Sequence, residues 1–228
     1  MRVFIVRHGE SYSNVQGKII SSTDLPLTEK GVKQAKAAQA YLKSILYPDV
    51  INMAFTSPLL RAKQTAAIIC GPDIEIVERK ELREMDLGRL EGLTWEERSA
   101  NYPAINIENA LSDAILPGGE KYGDIRLRCV NFVQNSLSRQ GVNKNILVVS
   151  HGITIRVLVN VLLNKADNCV NCINWPDNTA ITELEWPCGA DTQIKRLNDR
   201  NHLAGADLET EGYKTWGEFA ASDYGSVV

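Results

Sequence analysis

The sequence predicts an α/β protein, a three-layer α/β/α sandwich around a mostly parallel central sheet. Short apolar segments rich in β-branched residues alternate with longer segments whose apolar residues recur at helical spacing. Such alternation favours parallel strands with helices on both faces of the sheet. Two of the apolar segments end directly in histidine and glycine, as expected at the ligand-binding edge of an open sheet. With 228 residues, 44% of them hydrophobic, and no linker-like composition, we expect one domain over 1–228.

The predicted elements are assigned in chain order. The first strand covers 2–6, and a polar loop over 9–27 leads to a helix with Thr28 as its N-cap, closed by Pro48. After a short strand at Met53–Thr56, Ser57 is predicted as the N-cap of a helix that runs to about Cys70. The remaining predictions are a strand over 74–77, a short helix over 95–102, a long helix over 120–139, a strand over 145–149, a helix over 153–163, and strands over 179–186 and 192–197. We expect 93–118 to cover the site and the tail from about 205 to be partly mobile.

Composition argues against several classes of function. The net charge of −3 and the pI near 5.7 give no basic footprint for nucleic acid or an anionic membrane. No apolar stretch approaches the roughly 18 residues of a membrane span, and the amino terminus has no secretory pattern, so we expect a cytoplasmic protein. The five cysteines are scattered, which argues against a disulfide framework. Cys169 and Cys172 have metal-ligand spacing, but no second pair completes a site, so we expect reduced thiols, no metal and no cofactor.

Two of the three histidines follow predicted strands and precede glycine: His8 and His151. Arg7 adjoins the first of them, and Arg61 lies one turn into the helix after a third strand. Because parallel strands end at one edge of a sheet, we expect these four side chains to converge. The resulting pocket is electropositive and rich in donors, and it fits a tetrahedral oxyanion such as phosphate.

At this point the chain resembles the histidine phosphatase superfamily, which includes the cofactor-dependent phosphoglycerate mutases and many related phosphatases. The matching pieces occur in the family's order over about 2–203, and they imply a phosphoglycerate mutase-like fold. They are Arg7-His8-Gly9-Glu10-Ser11 with Asn14, Leu25-Pro26-Leu27-Thr28-Glu29-Lys30-Gly31, Thr56-Ser57-Pro58-Leu59-Leu60-Arg61, Leu82-Arg83-Glu84, Pro117-Gly118-Gly119-Glu120, Ser150-His151-Gly152, Asn178-Thr179, and Asn198 with His202-Leu203.

The resemblance implies a mechanism for these residues. His8 is expected to attack phosphorus and form a phosphohistidine, which requires an unprotonated ring nitrogen with the other nitrogen held by an acceptor. Arg7, Arg61 and His151 are expected to bind the equatorial oxygens, where charge is spread in the transition state. These side chains supply the positive charge, so no metal ion is implied.

The resemblance also implies supporting residues around the phosphoryl group. Asn14 and the backbone N–H of Gly152, at a helix start, are expected to donate to it. Ser21, in the first loop, is a candidate substrate-binding residue at a position where this sequence departs from the family pattern. Glu84 is expected to be the general acid. Asp86 is the alternative, because two residues on a strand share a face.

Three functions use these residues: a phosphatase, a phosphoglycerate mutase primed by a bisphosphate, and a non-catalytic phospho-ligand binding module. Family mutases carry a longer basic insertion after the acid, whereas here the only arginines between Glu84 and Pro117 are Arg89 and Arg98. The run Gly-Ile-Thr-Ile-Arg after His151 also resembles the phosphatase branch. We therefore expect a metal-independent phosphatase acting on a small phosphorylated metabolite of the phosphoserine, phosphoglycerate or sugar phosphate type. A homodimer through a sheet edge is left open.

Overall fold

The central sheet of the computed structural model explains why the site lies where it does. The model describes residues 1–107, 110–186, 191–204 and 208–209, and within them six strands form one sheet in the order β3-β2-β4-β1-β5-β6. The strands are β1 (Arg2–Arg7), β2 (Met53–Thr56), β3 (Ile76–Glu78), β4 (Asn145–Ser150), β5 (Ile181–Glu185) and β6 (Gln193–Asp199). β1 to β4 are parallel, while β5 pairs antiparallel with β1 and β6 pairs antiparallel with β5. This mostly parallel sheet confirms the predicted fold class.

Helices cover both faces of the sheet. They are α1 (Tyr12–Val15), α2 (Glu29–Leu46), α3 (Leu60–Cys70), α4 (Trp95–Asn101), α5 (Tyr122–Phe132) and α6 (Gly152–Leu162). Side chains alternate across a strand, so Val3 and Ile5 of β1 join a core with α5 and α6, whereas Phe4 and Val6 join a second core with α2 and α3. The two cores give the three layers. No helix within the described ranges is long and apolar enough to cross a membrane.

Most predicted elements are confirmed to within a few residues, including the cap of α2, where the Thr28 hydroxyl accepts from the Gly31 N–H at 3.0 Å. The predicted start of α3 is wrong. That helix begins at Leu60 and its N-cap is Leu59, two residues after Ser57. The Ser57 hydroxyl contacts His151 Nε2 at 2.8 Å. The predicted long helix is also shorter, since α5 ends at Phe132 and a π-helical turn follows over Val133–Leu137.

The 93–118 segment packs on the α5 and α6 side of the sheet. It contains α4 and a 3₁₀ turn at Leu111–Asp113, and Ile105, Leu111 and Leu116 are buried in the same core as those helices. Residues 108 and 109 lie outside the described ranges. The predicted mobility of the tail from 205 also concerns residues outside them, apart from 208–209, where the Leu208 carbonyl accepts from Gln34 Nε2 at 2.7 Å.

Candidate active site

The sheet register brings the two strand-terminal histidines together. Arg7 of β1 is the register partner of Ser150 of β4, and His8 donates its backbone N–H to the Ser150 carbonyl at 3.0 Å. The next residue on each strand is therefore histidine, and the ring centroids of His8 and His151 lie 5.0 Å apart. The predicted convergence at the carboxyl edge is confirmed for this pair.

One hydrogen bond and the surrounding charges set the state of the His8 ring. Its Nδ1 lies 2.7 Å from the Gly9 carbonyl, and a carbonyl only accepts, so Nδ1 carries the hydrogen and Nε2 keeps its lone pair. Burial, and then the positive charges of Arg61 and Arg7, lower the pKa of His8 well below its ordinary value of 6.5, although the bond to Gly9 partly opposes this. His8 is 4% exposed and lines the cavity. A neutral imidazole with a free lone pair at Nε2 is the species that phosphoryl transfer requires.

Two arginines, Arg7 and Arg61, line the cavity with His8. Arg61 is 2% exposed, and its guanidinium donates to the Thr23 carbonyl at 3.0 Å and the Ser21 carbonyl at 2.7 Å. Arg7 donates from Nη1 to the Pro176 carbonyl at 2.8 Å, and its buried Nε has no hydrogen-bond partner among the described residues. Backbone carbonyls thus fix both guanidinium groups without neutralising them. Their charge remains available to an anion in the cavity.

The second histidine, His151, is in contact with the hydroxyl of Ser57. Ser57 Oγ lies 2.8 Å from His151 Nε2 and accepts from the Leu59 N–H at 3.3 Å. A hydroxyl that accepts from Leu59 can still donate to Nε2, and in that arrangement the hydrogen of a neutral His151 is on Nδ1. That Nδ1 is buried and has no partner in the described part of the chain. Burial, and then Arg61, lower the pKa of His151 well below its ordinary value, which favours a neutral ring.

The carboxylate of Glu84 faces the start of α6. Its Oε2 accepts from the Ile153 N–H at 3.2 Å, and its Oε1 accepts from the Thr154 N–H at 3.1 Å and the Met85 N–H at 2.9 Å. Glu84 lines the cavity with Arg7, His8 and Arg61. Asp86 is exposed and accepts from the Gly88 N–H at 2.9 Å, away from the cavity. The geometry favours Glu84 over Asp86 as the acid.

Asn14 and Gly152 are placed differently relative to the cavity. Asn14 lines the cavity, and its Oδ1 accepts from Ser11 at 3.0 Å, which leaves its Nδ2 hydrogens for another acceptor. Gly152 is the first residue of α6, where N–H groups have no carbonyl partner within the helix, but it is not among the residues that line the cavity. The expected contact from the Gly152 N–H to a phosphoryl group therefore stays a prediction.

The expectation that Ser21 binds substrate is not supported by its position. Ser21 is 1% exposed, it does not line the cavity, and its hydroxyl donates to Glu91 Oε2 at 2.5 Å. Burial alone raises the pKa of Glu91, but hydrogen bonds from Ser21 and Thr23 outweigh it and lower the pKa. Ser21 therefore positions Arg61 through its carbonyl rather than contacting substrate, because its side chain points to Glu91.

The site opens into a cavity of about 530 Å³. Arg7, His8, Arg61 and Glu84 line it, together with further polar and apolar side chains. The polar ones include Lys18, Lys30 and Glu10, and the apolar part of the lining includes Ile20, Trp95, Ile153 and Trp175. Among the described residues, no group of three or more His, Cys, Asp or Glu side chains is placed to hold a metal ion. A second cleft of about 480 Å³ lies near Arg2 and Lys144, at the opposite edge of the sheet.

The family model of the histidine phosphatase superfamily (branch 1) matches residues 3–200. The chain belongs to this superfamily. Among its relatives, PhoE of Bacillus subtilis (strain 168), named an uncharacterised phosphatase, is 32% identical over 210 residues, which cover 89% of this chain and 97% of PhoE. A 2,3-bisphosphoglycerate-dependent phosphoglycerate mutase of Gloeobacter violaceus is 34% identical over 162 residues, 68% of this chain and 72% of the mutase. The solved structure of a phosphoserine phosphatase from Entamoeba histolytica, in complex with 3-phosphoglyceric acid, aligns with a TM-score of 0.72 and 28% identity, covering 89% of this chain and 98% of that one.

Sequence reasoning missed two residues of this histidine phosphatase site. Ser57 was assigned to a helix cap, although it directly follows β2 at the same edge where His8 and His151 follow their strands. That shared position was the signal that could have found it. Trp175 had no such signal. It lies in a segment without periodicity, and its ring reaches the site only because the chain folds back over Gly152.

Proposed function

We propose that this protein is a metal-independent phosphatase that hydrolyses small phosphomonoesters through a phosphohistidine on His8. The observation that carries the proposal is the His8 ring, with Nδ1–H bonded to the Gly9 carbonyl and neutral Nε2 beside two fixed guanidinium groups. A site that only bound a phosphate would need the cations but not this tautomer. The neighbouring Glu84 carboxyl supplies the second group that hydrolysis requires.

The reaction has two balanced steps. In the first, the His8 Nε2 lone pair forms a bond to phosphorus, the bond from phosphorus to the alcohol oxygen breaks, and Glu84 gives its proton to that oxygen. In the second, Glu84 takes a proton from water as the water oxygen displaces His8 from phosphorus. Arg7, Arg61 and His151 bind the equatorial oxygens in both steps. Inorganic phosphate and neutral His8 remain.

The mutase alternative is favoured by the 34% identity to a mutase over 68% of the chain. The cavity argues for the phosphatase. Arg89 is exposed and Arg98 donates to the Ile105 carbonyl at 3.1 Å, and neither lines the cavity. Within its described residues, the segment after Glu84 therefore contributes no arginine to the cavity lining that could hold a second anionic group of the substrate.

The test is phosphate release from a panel of phosphomonoesters in EDTA, with 3-phosphoglycerate included and formation of 2-phosphoglycerate followed in parallel. We expect release that survives EDTA and is lost in His8→Ala. We also expect a ³²P-labelled phosphohistidine to be trapped by a rapid quench in alkaline detergent, because its phosphorus–nitrogen bond is labile in acid and stable in alkali. Interconversion of phosphoglycerates that requires a bisphosphate, without net release, would identify a mutase instead. Binding of phosphate without turnover of any substrate would indicate a binding module.

A further inference from the structure

We propose that Trp175 is the surface against which the alcohol of the substrate stacks, so that the preferred substrate is a small phosphomonoester whose alcohol carries a planar apolar ring. The inference rests on the proposed function and specifies the substrate class for the same site. It concerns the apolar part of the cavity wall, which phosphoryl transfer itself does not use.

The direction of the leaving group follows from in-line displacement. The nucleophile and the leaving oxygen lie on opposite sides of phosphorus, so the alcohol leaves on the side of the acid, Glu84. Glu84 and Trp175 both lie beside Gly152, at the start of α6. Trp175 Cζ3 lies 2.6 Å, and Glu84 Oε2 3.8 Å, from the position that a Cβ on Gly152 would take. The ring of Trp175 therefore borders the carboxyl group that the alcohol faces.

The Trp175 ring is fixed before substrate arrives. The guanidinium of Arg156, 1% exposed, lies 5.1 Å from the ring centroid and donates to the Ile173 carbonyl at 2.7 Å. On the other side of Trp175, Pro176 accepts from Arg7 at 2.8 Å. The backbone on both sides of the tryptophan is thus anchored, and a preorganised aromatic surface loses little conformational entropy when a ligand stacks on it.

Several of the apolar side chains that line the cavity are also partly exposed to solvent. Ile20, Trp95 and Trp175 are only half-buried, and all three line the cavity. Large apolar side chains exposed together in a concave site indicate an apolar ligand surface. Stacking of a planar ring on an aromatic side chain corresponds to about a 10- to 100-fold gain in affinity.

The experiment compares benzyl phosphate with ethyl phosphate, because both release a primary alcohol and only one carries a ring. We expect the wild type to favour benzyl phosphate by about 10- to 100-fold in kcat/KM. In Trp175→Leu this ratio should fall to within about threefold of one, mainly through a higher KM for benzyl phosphate, since stacking stabilises ground and transition states alike. Trp175→Phe, which keeps an aromatic face, should retain most of the preference. The matched control is Trp186→Leu: Trp186 is also half-buried but pairs with Met1 at the other end of β1, and the ratio should not change.

Equal kcat/KM for the two substrates in the wild type, or an equal loss for both in Trp175→Leu and Trp175→Phe, would overturn the inference. No phosphate release from either substrate would count against the phosphatase itself. In that case calorimetry on the wild type and Trp175→Leu tests stacking on Trp175 independently of turnover. The quantities compared are the dissociation constants of benzyl phosphonate and ethyl phosphonate. A preference for the benzyl compound that the variant loses supports the inference, and equal binding refutes it.

Discussion

Replacing Ser57 with alanine removes the hydroxyl that contacts His151 Nε2, and we expect this hydroxyl to hold His151 in its Nδ1–H tautomer. The Oγ to Nε2 distance is 2.8 Å, and both residues are fully buried. Without the hydroxyl, Nε2 has no acceptor or donor opposite it, and the hydrogen is no longer fixed on Nδ1. A buried hydrogen bond of about 1–1.5 kcal/mol corresponds to a loss of about 10-fold in kcat/KM. That is smaller than the roughly 100- to 1,000-fold expected when a donor to the transition state is removed outright.

The assay is steady-state phosphate release, together with ¹⁵N chemical shifts of labelled histidine, which report the tautomer directly. We expect the Nδ1–H tautomer of His151 in the wild type and a mixture in Ser57→Ala. Ser136→Ala is the matched control, because Ser136 is also buried and accepts from Arg79 Nε at 2.8 Å, but lies outside the cavity lining. Both variants should lose about 1–3 kcal/mol of stability, and only Ser57→Ala should lose activity. If Ser57→Ala keeps kcat/KM within about twofold while the tautomer changes, the positioning of His151 by Ser57 is refuted.

Three further predictions follow from the same geometry. Glu84→Gln should lower kcat/KM by about 100- to 10,000-fold for alkyl phosphates. The loss should be far smaller for 4-nitrophenyl phosphate, because its leaving group needs no proton, and the control Asp86→Asn should stay near wild type. Equal losses for both esters would exclude general-acid catalysis by Glu84. Burial lowers the folded-state pKa of His8 and His151 well below the unfolded value of 6.5, and that of His202 to about 4. The unfolded chain therefore binds more protons below pH 6.5, and stability present above that pH should fall by up to about 4 kcal/mol per pH unit on acidification. Urea unfolding from pH 7.5 to 5 measures this, and a flat profile contradicts it. Gly31→Ala places a Cβ 1.9 Å from a backbone carbonyl of the first loop, so its urea midpoint should fall by the equivalent of about 3 kcal/mol, and an unchanged midpoint would contradict this close packing.

The sequence by itself determined the layers, the strand ends and most site residues. Apolar residues repeat every second position in strands and at helical spacing in helices, and the histidines directly follow buried strands, so local pattern placed His8 and His151 at one edge. The cap at Thr28 was equally local, because its partner Gly31 is three residues away.

The tertiary structure decided everything that depends on contacts distant in sequence. The partner of Ser57 is 94 residues away, so local pattern favoured a helix cap where a histidine holds the hydroxyl instead. The resemblance favoured Glu84 over Asp86, but only the approach of α6 shows where the Glu84 carboxylate lies. Trp175 reaches the acid solely because the chain crosses back over a glycine. Sheet register and loop paths set these distances, and the energies that fix them come from packing, which no local pattern contains.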